Sequence, residues 1–224
     1  MKQLEGIELI QDAIKSSDVE YMRMQMKAYL LYLEVNKKLG EFKINDYLAK
    51  DMHREILMGV YHDQGYMVAT DANIMICLKK DYSEDLEGKI ISPKTGPIIG
   101  VYPKWRNVIP DMKENDMLYN IDFEEAKLIY NSYKMEKKLN LFHESVFALT
   151  HNDEKIYFDC KYLHAFTNGL KELKMSEVRI QAYDNGKLKI GRAIFNRNYK
   201  GNILLMPKVF HDDHDYTDTR IFYL

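Results

Sequence analysis

The sequence is poor in the residues that would assign it at once to a specialised class of protein. Its 224 residues include two cysteines, five prolines and one tryptophan, and the formal net charge is −2. Cys77 and Cys160 lie far apart, so buried thiols in a reducing cytoplasm are favoured over a disulfide framework. The near-neutral charge excludes a uniformly basic nucleic-acid binder but is compatible with local basic patches.

Long apolar runs and catalytic motifs are also absent. No stretch approaches the ~20 apolar residues that cross a bilayer, and carboxylates interrupt the apolar residues of 1–18, which argues against a signal peptide. Neither a glycine-rich phosphate loop nor a nucleophile elbow occurs. Cys160 stands at a predicted helix start, where a thiol pKa can fall, yet the sequence identifies no partner base. We therefore expect no enzyme activity, no cofactor and no membrane partner.

A short histidine-rich segment near the end of the sequence has residue types that bind metals. His211 and His214 are three positions apart and alternate with aspartates. No distant histidine or glutamate clearly completes a set of ligands. An adventitious site or a solvated acidic turn is therefore the preferred interpretation, and we expect no metal.

The most informative segment that is present is Gly100–Pro110, GVYPKWRNVIP, which holds two prolines and the only tryptophan. Each proline fixes its own φ and pushes the preceding residue toward extended backbone, which predicts extended Tyr102 and Ile109. The aromatic and aliphatic residues of this segment are too apolar for a free linker. The segment is therefore predicted to be a stiff connector that lies on a folded surface.

Three segments in order resemble one known family. The connector has the pattern G-x-[FY]-P-x-[aromatic]-R-x-V-[IL]-P, Arg54–Met75 reads REILMGVYHDQGYMVATDANIM, and Ile203–Pro207 reads ILLMP. All three are similar to segments of bacterial DNA sliding clamps, the beta subunits of DNA polymerase III. The resemblance implies an α+β protein of the DNA-clamp fold, with antiparallel sheets and helices on one face, encoded by a bacterium or a mobile element.

Hydrophobic periodicity predicts where the elements lie along the chain. Residues 1–40 read as a helical extension and 211–224 as a tail, and the resemblance to clamps implies that 41–110 is a partial clamp-like unit and 111–210 a complete clamp-like domain. Helices are predicted at about 44–55, 122–139 and 159–173. Turns are predicted at 63–65, 93–97, 152–153 and 184–186. Strands are predicted at 56–62, 66–69, 74–78, 89–92, 145–150, 155–158, 178–183, 188–195 and 202–206.

The resemblance and the helical spacing together predict a surface for double-stranded DNA without sequence preference. A sliding clamp presents cations to phosphates and does not read bases. The second and third predicted helices each carry a mostly cationic face opposite an apolar one. An ordinary solvated face is the alternative, and Glu136 and Glu172 would weaken the attraction. The predicted DNA-binding residues are Lys127, Lys134, Lys138, Lys161, His164, Lys171 and Lys174.

A second site follows from the resemblance alone. Clamps bind short linear motifs of replication proteins in a groove, and the matching residues here are Thr70, Ala72, Asn73, Met75, Pro103, Val108, Met206 and Pro207. Asn73 and Ile74 replace the usual His-Arg, so these residues could instead pack a junction between units. Residues 219–224 loosely resemble a clamp-binding peptide, but an added edge strand is the preferred interpretation.

Two functions remain open at this point. The first is a replication processivity factor or relative that binds DNA, replication proteins or both, with homo-oligomers needed to close a ring. The alternative is a clamp-derived interaction module or regulator that does not encircle DNA.

Overall fold

The structure is a computed structural model, and it describes residues 43–113, 117–151, 154–183, 191–208, 210 and 218–224. The predicted extension at 1–40, the turns at 152–153 and 184–186, and the histidine-rich residues 211–215 lie outside these ranges. The chain forms two compact units. Of the described residues, those at 43–72 and 77–104 belong to one unit, and those at 73–76 and from 105 onward belong to the other.

The described residues contain twelve strands, two α-helices and several short 3-10 helices. None of the helices in this part of the chain is long and apolar enough to span a membrane. The strands are β1 Val60–Asp63, β2 Tyr66–Thr70, β3 Ile74–Lys79, β4 Ile90–Ser92, β5 Gly96–Ile98, β6 Met117–Asn120, β7 Glu144–His151, β8 Glu154–Asp159, β9 Glu177–Tyr183, β10 Gly191–Asn198, β11 Gly201–Leu205 and β12 Thr219–Tyr223. The α-helices are α1 Phe123–Lys138 and α2 Leu163–Leu173, and the 3-10 helices are Ile44–Tyr47, Met52–Met58, Glu84–Leu86, Trp105–Val108 and Cys160–Tyr162. The predicted α+β class is confirmed.

The first unit is built on short antiparallel strands in the order β5-β4-β1-β2, and residues 77–79 of β3 follow β2 in the strand order. Val68 and Ala69 of β2 are fully buried. Gln64 and Gly65 join β1 to β2 with positive φ angles of 49° and 79°, as a tight primed turn requires. The predicted turn at 63–65 is therefore confirmed.

The predicted helix at 44–55 is wrong, and the strand predicted to begin at residue 56 begins later. The structure has two 3-10 helices here, Ile44–Tyr47 and Met52–Met58, separated by extended backbone. The Asp51 side chain accepts a hydrogen bond from the His53 backbone N–H and starts the second 3-10 helix. Arg54 has non-helical backbone angles and donates to the carbonyl of Asp71 at 2.7 Å. The local bond of Asp51 competes with a continuous α-helix, and the bond of Arg54 ties this segment to a residue 17 positions away.

The connector is not extended throughout, because Trp105–Val108 forms a 3-10 helix. Tyr102 and Trp105 are buried, as the apolar character of the segment predicts, whereas Val108 is 47% exposed. The guanidinium of Arg106 lies 4.2 Å from the centre of the Trp105 ring. The charged side chain of Arg106 thus covers the Trp105 indole in a segment that the sequence predicts to be extended.

The second unit has two groups of strands. β11, β10, β9 and β6 follow one another in antiparallel pairs, and β12, β7 and β8 form a three-stranded sheet. The rings of Phe147 and Phe158 stack at 5.2 Å between β7 and β8, and both are fully buried. The helices predicted at 122–139 and 159–173 are confirmed, although the latter begins as the 3-10 helix Cys160–Tyr162.

Residues 219–223 form an edge strand, the preferred interpretation of the tail. β12 pairs in parallel with β7, with Ile221 opposite Val146 and Phe222 opposite Phe147. Parallel strands are not joined by a hairpin turn, so no turn motif in the sequence could have predicted this pairing. None of its residues is fully buried.

Candidate nucleic-acid interface

Helix α1 is fixed at its start and along one face. Asp122 caps the helix by accepting hydrogen bonds from the backbone N–H groups of Glu124 and Glu125, at 2.9 and 3.1 Å. Both glutamates lie in the first turn, where they complement the helix dipole. Ala126 and Ile129 are buried, and the lysines stand on other faces of the helix.

Helix α2 is more deeply buried and leaves a narrow polar face. Phe166, Leu170 and Leu173 pack into the core. The hydroxyl of Thr167 donates to the carbonyl of Leu163 at 2.9 Å, which satisfies a buried polar group inside the helix. Lys174 ends the helix in a left-handed conformation with φ of 57°. Its side chain is exposed just beyond the last turn.

The two helices pack against each other through aromatic side chains. The ring of Tyr130 on α1 stacks on that of His164 on α2, with centres 4.7 Å apart and planes 12° from parallel. The ammonium of Lys171 lies 4.8 Å from the centre of the Phe123 ring. These contacts hold the two helices side by side.

All seven predicted DNA-binding residues lie in this unit and are exposed. Several make local contacts that leave the charge facing solvent. Lys127 is 3.9 Å from Glu124, Lys134 lies 5.8 Å from the centre of the Tyr130 ring, and Lys161 pairs with Asp159 at 3.0 Å. Exposed pairs of this kind contribute little to stability, so these lysines can exchange their partners for phosphates.

One of the two acidic residues expected to weaken this surface is engaged elsewhere. The carboxylate of Glu136 is only 14% exposed and pairs with Arg220 of β12 at 3.5 Å. Arg220 could not have been assigned this role from the sequence, because it approaches α1 only through the parallel pairing of β12 with β7. The strand thus neutralises a carboxylate close in sequence to Lys134 and Lys138.

Sequence reasoning missed a cavity beside the cationic helices. Its volume is about 180 Å³, and it brings together three lysines, of which Lys161 is the only one predicted. Lys208 forms an ion pair with Glu144, and burial lowers the pKa of the Lys208 ammonium. Lys137 donates to the Tyr133 hydroxyl at 3.2 Å. The lining residues are Tyr133, Lys137, Phe142, His143, Glu144, Ser145, Asp159, Lys161 and Lys208.

The predicted groove residues divide between the two units. Thr70, Ala72 and Pro103 belong to the first unit. There the Thr70 hydroxyl accepts a hydrogen bond from the Ala72 backbone N–H at 3.0 Å, and Ala72 has a positive φ of 78°. Pro103 is exposed. Residues 70–72 therefore form a turn that the Thr70 hydroxyl stabilises by a hydrogen bond.

The other five predicted groove residues belong to the second unit, and two of them meet directly. The backbone N–H of Met206 donates to the carbonyl of Asn73 at 2.7 Å. Met206 and Pro207 are half-buried, and Asn73 is exposed. Met75 is only 3% exposed, so its side chain serves the core and does not line a surface.

The environment of Cys160, the thiol considered as a nucleophile, does not favour its ionisation. Cys160 and Cys77 are free and buried, as expected. Burial, followed by the carboxylates of Asp159 and Glu136, raises the pKa of the Cys160 thiol, which is the reverse of what a nucleophile needs. Among the residues that the structure describes, no three His, Cys, Asp or Glu side chains are grouped to hold a metal ion.

Comparison with known proteins gave matches among solved structures only. No family model matches the chain, and no curated protein matches its sequence. The beta subunit of DNA polymerase III from Thermotoga maritima is similar at 13% identity and a TM-score of 0.48, covering 83% of this chain and 65% of its own. The Helicobacter pylori beta clamp bound to a DNA ligase peptide is similar at 13% identity and a TM-score of 0.49, covering 82% and 64%.

A further Helicobacter pylori beta clamp, in complex with 3,4-difluorobenzamide, is similar at 12% identity and a TM-score of 0.47, covering 80% of this chain and 64% of its own. The chain spans just under two thirds of the length of these clamp chains. These three solved structures are beta clamps or beta subunits of DNA polymerase III.

Proposed function

We propose that this chain is a non-catalytic, clamp-like protein that binds double-stranded DNA through the exposed cations of α1 and α2. The observation that carries the proposal is the packing of the two helices. Tyr130 and His164 stack at 4.7 Å, which holds α1 beside α2 and supports our assignment of their two cationic faces to one surface. Cations at the ends of long, exposed side chains attract phosphates and carry no base-edge readout. Binding independent of sequence is the expected result.

Charge reversal on each helix tests this proposal. Lys134→Glu with Lys171→Glu removes one cation from α1 and one from α2, both at exposed positions. The control, Lys50→Glu with Lys94→Glu, makes the same change in net charge at exposed lysines of the first unit. Binding to two unrelated fluorescein-labelled 30-base-pair duplexes is measured by anisotropy at about 50 mM salt.

We expect the wild-type chain to bind both duplexes within about twofold of each other, because phosphate contacts carry no sequence information. The α1–α2 variant should lose at least about tenfold in affinity, and the control should stay close to wild type. Equal losses in the two variants would reduce the effect to overall charge and would remove α1–α2 as the interface. A strong preference for one duplex would contradict phosphate-based binding.

We also propose that the surface around Asn73, Val108, Met206 and Pro207 binds short linear motifs of replication proteins. The hydrogen bond between Met206 and Asn73 fixes two of these residues, and Val108 is exposed beside the buried Trp105 in the same 3-10 helix. A small apolar surface with a polar edge suits one anchored peptide. Val108→Asp should abolish binding of a clamp-binding peptide and leave DNA affinity unchanged.

The alternative is an interaction module that kept the fold and does not encircle DNA. Light scattering and retention on nicked circular or linearised plasmid distinguish the two functions. Encirclement predicts an oligomer that stays on nicked circles and slides off linear ends. A stable monomer without affinity for DNA at low salt supports the module and contradicts the DNA interface.

A further inference from the structure

Helix α1 has an exposed apolar row that neither the fold nor the proposed DNA interface uses. Leu128 and Met135 of α1 and Leu139, the residue directly after its end, are 67%, 62% and 61% exposed. At about 100° per residue they project in nearly the same direction. The buried face of the helix, with Ala126 and Ile129, points to another side. The helix is therefore apolar on two faces, and one of them is open.

The spacing of this row is that of a helix-pairing seam. Leu128, Ser132, Met135 and Leu139 follow one another at steps of four, three and four residues, which is the spacing of the core positions of a coiled coil. The row is about 16 Å long, since each helical residue rises about 1.5 Å. It is also only one residue wide and contains a serine. A narrow seam fits another helix better than a lipid surface, which favours a broad apolar face.

Charges beside the row indicate which charges a helix docked on it must carry. Lys134 and Lys138 flank its Met135–Leu139 end and are exposed, whereas Glu136 on the other flank is paired with Arg220. Lys127 and Glu124 pair with each other at the Leu128 end, with Glu125 nearby on the other side of the row. The net charge next to Met135 and Leu139 is therefore positive. A second copy of α1 packed in parallel would bring like charges together there.

We propose that the row of Leu128, Ser132, Met135 and Leu139, the outer row of α1, is the docking surface for an amphipathic helix of a partner protein. That helix has an apolar seam flanked by carboxylates, which meet Lys134 and Lys138. The surface is separate from the aromatic contacts between α1 and α2 but shares these two lysines with the DNA interface. Partner and DNA consequently compete for α1.

Two synthetic probes test the proposal with the full-length chain. Both are labelled 25-residue helical peptides with the same leucine seam, one flanked by glutamate and the other by lysine. The test variant is Leu128→Gln, Met135→Gln and Leu139→Gln, exposed substitutions that preserve helix propensity. The control, Met52→Gln with Tyr199→Gln, removes two apolar side chains that are 83% and 80% exposed elsewhere. Circular dichroism verifies that each variant is folded.

We expect the wild type to bind the glutamate-flanked peptide and to bind the lysine-flanked peptide at least about tenfold more weakly. The row variant should lose about tenfold or more in peptide affinity, the control should lose none, and all three proteins should bind duplex DNA equally. This last readout separates failure of the docking surface from failure of the DNA interface.

Three results would overturn the proposal. The first is equal binding of the two peptides, or equal binding by wild type and row variant. The second is binding of phosphatidylserine vesicles that depends on the row, which would assign it to a membrane surface. The third is a wild-type dimer that becomes a monomer in the row variant, which would assign it to self-association.

Discussion

Single residues in this chain are placed by a mixture of local and distant interactions. The Asp122 cap could be predicted because the residue precedes two glutamates and an apolar helical pattern. The contact between Arg220 and Glu136 could not, since the two residues are far apart in sequence and meet only through strand pairing. Buried thiols illustrate both cases. Burial of Cys160 was expected and Asp159 precedes it in the sequence, but the approach of Glu136 follows from the fold.

Cys160 predicts how stability changes with pH. Its thiol pKa is raised in the folded state, whereas an unfolded thiol has a pKa of about 8.5. A raised pKa gives stability that is fully present below the unfolded pKa and is lost as the pH rises through the folded one. Between pH 7.5 and 9.5, the loss of stability in urea unfolding should be about 1 kcal/mol smaller in Cys160→Ala than in wild type. The same pH dependence in both proteins would contradict this assignment.

At the scale of elements, regular patterns were predicted and irregular ones were not. The two α-helices and most strands have clear apolar periodicity, and the structure contains them within a few residues of the predicted limits. The 3-10 helices at Met52–Met58 and Trp105–Val108 replace elements predicted to be α-helical or extended. Hydrogen bonds of Asp51 and Arg54 occur in the first segment and the Arg106–Trp105 contact occurs in the second, and neither leaves a periodic signal.

β12 is the element whose pairing is easiest to test. The Leu224 backbone N–H donates to the carbonyl of Ala148 at 3.1 Å, so the N–H of Phe222, two residues earlier, points to the same side. Phe222→Pro removes a hydrogen bond between β12 and β7, whereas Tyr223→Pro, the matched control, removes an N–H that points away. We expect Phe222→Pro to lower the free energy of unfolding by about 1 kcal/mol more than the control.

Equal effects of the two proline substitutions in denaturant unfolding would show that β12 does not pair with β7 in the register described. Hydrogen exchange gives a second readout. Amides of β7 next to β12 should lose protection in Phe222→Pro and keep it in Tyr223→Pro.

For the whole molecule, the sequence motifs predicted the fold class, and the candidate site became a surface only through packing. Helical spacing put lysines on α1 and on α2 separately. It could not show that Tyr130 and His164 would stack, that Glu136 would pair with Arg220, or that Leu128, Met135 and Leu139 would stay exposed. These contacts between elements support the proposal that the two solvated helix faces act as one cationic surface with an apolar row beside it.

The central claim is that phosphates contact the lysines of α1 and α2 together, and the salt dependence of DNA binding tests it most directly. Each neutralised phosphate contributes about −0.9 to the slope of log K against log salt. Changing Lys134 and Lys171 to alanine should reduce the magnitude of the slope by about 1.8, while Lys50→Ala with Lys94→Ala should leave it unchanged. An unchanged slope in the α1–α2 variant would contradict the account.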